Sequence, residues 1–364
     1  MLHKVILTPL VLALAIALLA TPAGTGAGQS PAAAAPEPPT AAMVTPDALT
    51  DALNRRADAV TLAFGGDVHF EGFLRDRLLA DPAALLAPVA PLLSAADIAV
   101  VNLETTVTDG GLADPKQFTF RAPPEAFDAL LAAGVDIVSV ANNHGVDFGM
   151  TSLLDTMDAA AAAGMTLVGA GQTELAAYTP HVTTVRGVDV AVFGATDVLD
   201  GYAVDSWVAG PDEPGIASAK ATYRRRLLDA VTHASTTNDV VVVMLHWGVE
   251  KHTCPTAAQQ TLADELIIAG ADVVVGGHAH RLQGGGWKRG AIVHYGLGNF
   301  VFYVGDGSEA AESGVFVVEV GHHGAQGYAW TPATLQSGVA TPVEDDGWEA
   351  LRSCTDLSAD QLAP

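Results

Sequence analysis

Five short apolar runs in this chain each end in a residue able to hold a divalent cation. TLAFGG leads into Asp67-Val68-His69, DIAVV into Asn102-Leu103-Glu104, and DIVSVA into Asn142-Asn143-His144. VVVML leads into His246-Trp247-Gly248, and DVVVGG into His278-Ala279-His280. Runs of this length and apolarity read as strands covered on both faces, and such sheets place ligands at the carboxyl ends of their strands. A chain that repeats the pattern is assembling one site from distant segments. The expected product is a two-metal centre.

The chain has 364 residues, enough for one large α/β domain or two smaller ones, and 49% of them are hydrophobic, which supports a sizeable core. Seventeen Lys and Arg stand against 41 Asp and Glu, a formal charge of −24. Such a surface repels nucleic acid and anionic lipid, so no nucleic-acid partner is expected. An anionic substrate would need a local basic funnel. Lys116, Arg121, Arg281, Lys288 and Arg289 lie near the motifs in sequence and are the residues available to line one, with solvated surface charge as the alternative.

Residues 1–27 resemble an export signal. His3 and Lys4 form a weakly positive start, Val5–Ala20 is apolar, and small residues follow to Ala27. An uncleaved N-terminal anchor is the competing reading, although the run is short for a span of about 20 residues. Residues 28–58 form an Ala/Pro-rich linker, and residues 59–364 are expected to be one domain. The protein is therefore expected outside the cytoplasm, either extracellular or held at the cell envelope. In an oxidising compartment the two cysteines, Cys254 and Cys354, are expected to form a disulfide, with two free thiols as the alternative.

From Val60 onward strands alternate with Ala/Leu-rich helices. Helical material is expected over Phe73–Leu93, Glu125–Ala133, Thr151–Ala163, Tyr223–Ser235 and Thr256–Ala269. The last has Thr256 as N-cap and Gly270 as its stop. A hairpin should turn at Arg186-Gly187. Asp200–Gly215 reads as an exposed loop, and the stretch from Gly321 as loop-rich, with Trp330 and Trp348 as packing anchors. The alternation, followed by antiparallel pieces, predicts an α/β fold of two packed sheets with helices outside.

A mixed Asp, His, Glu and Asn donor set suits Mn, Zn or Fe better than calcium. Two ions need a bridging carboxylate, and Glu104 is the candidate because Asp67 is the only other acid in the motifs. Asp67 and His69 are two apart, as are His278 and His280, and in an extended segment that spacing puts both side chains on one face. Asp147, Glu250, Gln283 and Asn299 sit beside these residues and could orient them, or serve turns and hairpins instead. Lys116, Arg121, Gln283 and Asn299 are the candidates for substrate contact. His294, inside a strand, is expected to be structural.

The ordered set GGDVHFEG, NLETTVT, ANNHGVDFG, HWGVE, GGHAHRLQG and YGLGNFVF, spread over Leu62–Phe302, resembles the CapA (PgsA-type) poly-γ-glutamate capsule biosynthesis family. That family resembles the calcineurin-like metallophosphoesterases. The resemblance implies two packed mixed sheets flanked by helices in a four-layer sandwich. It implies that two divalent ions bind: Asp67, His69 and His280 to one, Asn143, His246 and His278 to the other, and Glu104 to both. His144 would then be the acid that serves a leaving group. Metallophosphoesterases usually bridge with Asp, whereas Glu104 follows the capsule-type branch. Many members of that branch have an apolar residue where this chain has His69. The implied role is that of an exported metal-dependent hydrolase, acting on a phosphoester or an amide-linked envelope polymer beside membrane-bound capsule synthase components. The alternatives are a non-catalytic metal-binding component of polymer synthesis or export, and an envelope ligand-binding protein.

Overall fold

The computed structural model describes residues 59–344. The expected leader and linker, Cys354 and Trp348 lie outside them. Among the described residues no helix is long and apolar enough to cross a membrane.

Two large mixed sheets form the body. In the first, eight strands run in the order Asn299–Val301, Val339–Pro342, Gly324–Gln336, Glu312–Gly321, Val60–Val68, Ile98–Leu103, Ile137–Ser139 and Thr166–Val168. The second has six, in the order Leu282–Lys288, Ala291–Leu297, Val273–Gly277, Val240–His246, Val188–Thr196 and His181–Val185. In both, the strands that carry the motifs are parallel to one another. Their carboxyl ends therefore lie along one edge.

Period-two alternation sorts the side chains into layers. Val240, Val242 and Met244 join Val60, Leu62, Phe64, Ile98 and Val100 in a core between the sheets. Val241, Val243 and Leu245 face the opposite way, onto Leu227 and Val231 of the Arg224–Ser235 helix and Leu262 and Leu266 of the Ala257–Ala269 helix. On the far side Ala99 and Val101 meet Leu74 and Leu78 of Phe73–Ala80 and Phe127 and Leu130 of Glu125–Ala132. The order is helix, sheet, sheet, helix, the sandwich implied by the resemblance.

Local signals place several elements as expected. Thr256 and Gln259 form a reciprocal capping box, and Gly270 ends that helix in a left-handed conformation. Arg186 and Gly187 both take positive φ, 50° and 86°, as a two-residue hairpin turn requires. The helical material over Phe73–Leu93 is divided into three short helices, because Pro82 and Pro91 each restart the chain. Two expectations need correction. Asp200–Gly215 contains the helix Gly201–Trp207, which buries Ala203 and Trp207 instead of lying open. The described residues after Gly321 are mostly strand, since Gly324–Gln336 pairs along its length with Glu312–Gly321 and buries Trp330 between the sheets.

A bulge decides the orientation of the first motif. Phe64 pairs with Val100 and Asp67 with Asn102, so three steps along one strand match two along its neighbour. The extra residue turns Asp67 from the helix-covered face onto the face shared with Val100 and Asn102. Gly66 permits it, because a Cβ there would fall 2.0 Å from the Gly298 carbonyl oxygen. The Asp67 N–H donates to that same oxygen at 3.0 Å.

Candidate metal centre

Alternation carries the inner face out to the strand ends. Asn102 continues the row from Ile98 and Val100, with Glu104 next, and His246 continues the row from Val240, Val242 and Met244. Apolar side chains give way to ligating ones where the two sheets end.

Two groups of donors converge there. Glu104, His246 and His278 place one donor atom each within 4.8 Å of one another, and so do Asp67, Glu104 and His280. Glu104 belongs to both. It is wholly buried, and neither carboxylate oxygen has a hydrogen-bond partner among the described residues. A buried carboxylate left in this state is costly unless a cation completes it. His246 Nε2 lies 3.4 Å from Glu104 Oε1, 3.1 Å from His278 Nδ1 and 2.7 Å from Asn143 Oδ1. Such crowded nitrogens and oxygens suit a shared cation. The donor set, with Glu104 common to both groups, fits divalent metal binding.

Electrostatics agree. Burial alone would raise the Asp67 carboxyl, but hydrogen bonding to His280, the charges of His246 and His280 and the His278 N–H hold it down at about 2. Burial alone would lower His280, yet Glu104, Asp67 and Asn299 push it up to about 9. In the metal-free protein that proton neutralises carboxylates a cation would otherwise neutralise. Burial, with His246 and His280 adding to it, drives His278 well below the ordinary histidine value, leaving the neutral imidazole a metal needs. His278 and His280 adopt φ of 85° and 49°, a conformation L-residues rarely take away from functional sites. The segment is therefore not extended, and its two histidines serve different groups.

His69 does not join the Asp67 group. The pairing register shifts again between Asp67 and Val68, and the His69 ring turns among aromatic neighbours instead. It stacks on Phe120 at 4.6 Å and meets Phe302 and Tyr303 edge-on at 3.9 and 4.5 Å. Its Nδ1 accepts the Glu71 N–H at 3.0 Å.

His144 faces the centre, its Nε2 3.8 Å from Glu104 Oε1, while Asp147 Oδ2 holds its Nδ1 at 2.6 Å. Lys116 pairs with Asp147, donates to the Asn143 carbonyl and lies 3.3 Å from His144 Nδ1. Of the other residues expected to touch substrate, Asn299 is buried and meets His280 Nδ1 with its Oδ1 at 2.8 Å, so it orients a ligand. Gln283 is wholly buried, accepting from Gln259 and donating to the His252 and Cys254 carbonyls. It ties a loop rather than facing substrate. Arg121 lies over Phe148. Lys288 and Arg289 pair with Asp264, and Arg281 with Glu309, so they line no common funnel. Glu250 is exposed.

Sequence reasoning assigned no role to Asn102 or Asn142. Asn102 Nδ2 donates to Asp67 Oδ1 at 2.8 Å and approaches His246 Nδ1 at 3.0 Å, tying the two groups together. Asn142 holds Asn102 Oδ1 and the Leu103 carbonyl, and its Oδ1 accepts the His144 N–H. The signal available was position: each sits in a strand-end motif two residues before Glu104 or His144.

Fold and centre together define a four-layer α/β sandwich protein with a candidate metal centre at its strand ends. The chain belongs to the bacterial capsule synthesis protein PGA_cap family, whose pattern matches residues 61–304. It is similar to a probable polyglutamine synthesis accessory protein of Mycobacterium tuberculosis, 33% identical over 213 residues, 57% of this chain and 56% of that protein. The chain thus spans little more than half the length of that relative. It is 27% identical to the PGA biosynthesis protein CapA of Bacillus subtilis over 83% of this chain and 79% of that protein. It is 29% identical to the capsule biosynthesis protein CapA of Bacillus anthracis over 82% and 72%. Among solved structures, a 5'-nucleotidase of Candida albicans superposes with a TM-score of 0.46 at 11% identity, over 80% of this chain and 53% of that one.

Proposed function

We propose that this chain is an exported metal-dependent hydrolase of the capsule-synthesis type, acting on a phosphoester or amide bond in an envelope polymer. The carrying observation is Glu104, shared by two donor groups and buried with no hydrogen bond to either oxygen among the described residues. Asp67, Glu104 and His280 would hold one ion, and Glu104, His246 and His278 the other, with Asn143 beside His246. Two bound divalent ions would supply Lewis acidity and acidify a water at neutral pH. The chain's own residues do the rest. Asn102 and Asn299 orient Asp67, His246 and His280. Asp147 accepts from His144 Nδ1 and so aims Nε2 into the centre, where it can hand a proton to a leaving group. Lys116 pairs with Asp147 Oδ1, the oxygen that His144 does not use.

Metal content after reconstitution with Mn, Zn or Fe tests this directly. Wild type should approach two ions per chain, His278→Ala one, and Glu104→Ala none. Absence of bound metal, with Asp67→Ala and His278→Ala unchanged in stability, would rule the reading out. A second reading, a metal-binding accessory component of polymer synthesis, draws on the names of the relatives. Turnover of phosphomonoesters, phosphodiesters or γ-glutamyl amides that needs metal and is lost in His144→Ala favours the hydrolase. Metal binding without any turnover favours the accessory role.

A further inference from the structure

Phe120 connects the centre to a surface cleft. One face of its ring stacks on His144 at 4.1 Å and the ring also stacks on His69 at 4.6 Å. Its edge helps line a cleft of about 330 Å³, with Glu71, Gln117, Phe118, Thr119 and Tyr303 around it. Ligand sites run from roughly 300 to 1,000 Å³, so this one suits a small group.

The lining has an unusual chemistry for a solvated surface. Phe118 is 53% exposed and Tyr303 36%, and Tyr303 stacks on Phe302 at 5.6 Å, which leaves its other ring face for a ligand. Between them stand polar groups with no hydrogen-bond partner among the described residues: the Gln117 amide, the Thr119 hydroxyl and the Tyr303 hydroxyl. Glu71 uses Oε1 on the Arg121 N–H, which fixes the carboxylate in place. The lining contains one carboxylate and no cation. An anionic group entering here would meet a like charge without a counter-charge, so the cleft selects against it. Open aromatic faces together with unspent amide, hydroxyl and carboxylate groups match a ring that is apolar on its faces and hydroxylated at its edge.

We infer that this cleft is a subsite for a neutral pyranose ring. Phe118 and Tyr303 stack on its C–H faces, and Glu71, Gln117 and Thr119 take its hydroxyls. The Phe120 contact with His144 places the ring on the leaving-group side of the centre. That placement rests on the reading of His144 as the acid; the binding itself does not. A γ-glutamyl chain, with a carboxylate on every residue, is the ligand the cleft disfavours.

Saturation-transfer NMR on the full chain, both metal-free and metal-loaded, tests the assignment. The probes are methyl glycosides of gluco, galacto and manno configuration, with γ-glutamyl-glutamate as the anionic comparator. At least one glycoside should receive saturation at its ring C–H positions at millimolar concentration. Phe118→Ala and Gln117→Ala, both at exposed positions, should weaken that signal at least fivefold while the melting temperature stays unchanged. No transfer to any glycoside overturns the inference, as does a glycoside signal that survives Phe118→Ala. A γ-glutamyl-glutamate signal that Phe118→Ala abolishes overturns it equally. Because metal-free protein is probed too, failure of the metal reading would leave the glycoside signal intact, and the reverse holds.

Discussion

The Asp67 carboxylate occupies the space in which a side chain on Gly277 would begin: a Cβ there would fall 2.2 Å from Asp67 Oδ1. The next residue's N–H then donates to Asp67 Oδ2 at 2.9 Å. The two sheets thus meet with glycine on one side and a ligand on the other. Gly276 is fixed from within its own sheet, where a Cβ would fall 2.0 Å from Trp247 Nε1.

Gly277→Ala should therefore displace Asp67 while leaving the strand in place. We expect metal affinity to fall about 10- to 100-fold, the range for disturbed ligand positioning. Titration of metal-free protein followed by elemental analysis checks it. Unchanged affinity with a folded variant would show that Asp67 is not a ligand.

Asp147→Asn keeps the shape beside His144 but removes the charge that orients it. If the protein turns over a phosphoester, kcat should fall at least tenfold with metal content unchanged, while His144→Ala should cost about 10²- to 10⁴-fold. Equal losses in KM and metal content would instead mark Asp147 as a structural support of the loop.

His294 supplies a pH test remote from the centre. It is fully buried between the sheets, stacked on Trp330 at 5.2 Å, with no partner for either ring nitrogen among the described residues. Burial pushes it down to about 3. The folded state thus holds the neutral ring, while the unfolded chain takes up a proton below about 6.5. The folded pKa is the lower one, so no penalty exists above pH 6.5, and the penalty grows as pH falls from there toward 3. Its slope is about 1.4 kcal/mol per pH unit. His294→Phe should remove that slope. Denaturant melts of both proteins between pH 7 and 4.5 should diverge steadily in favour of the variant, whatever constant offset the larger ring adds. Parallel curves would show that His294 is protonated in the fold.

Gln283→Ala should behave as a loss of structure rather than of substrate contact. Its amide joins the Ala257–Ala269 helix to the loop carrying His252 and Cys254. Leaving the Gln259 amide and two carbonyls without their partner costs about 1–3 kcal/mol. Chemical denaturation should show that loss, with ligand affinity at the centre unaltered.

Much of this was legible locally. Helix caps, the Arg186-Gly187 turn and the polar residues that end each strand are set by neighbours a few residues apart, so a short window of sequence carries them. His246 and Glu104 could be placed because alternation along a strand is rigid. The same rule misled at Asp67 and His69, where spacing alone implies one face. Two register shifts, before Asp67 and after it, part the pair and send His69 among Phe120, Phe302 and Tyr303. Gln283 and Asn299 looked like substrate contacts because a polar residue beside a motif has no address until its partners are known.

The sequence by itself determined the class of fold, the strand ends at which chemistry would gather and the kinds of donor found there. Only the tertiary structure decided that His69 packs among Phe120, Phe302 and Tyr303, that Asn102 ties Asp67 to His246, and that the His278 N–H holds Asp67. Those relations join residues as far apart as Asp67 and His278. They depend on how two sheets pack and where one strand bulges, and a linear pattern records neither.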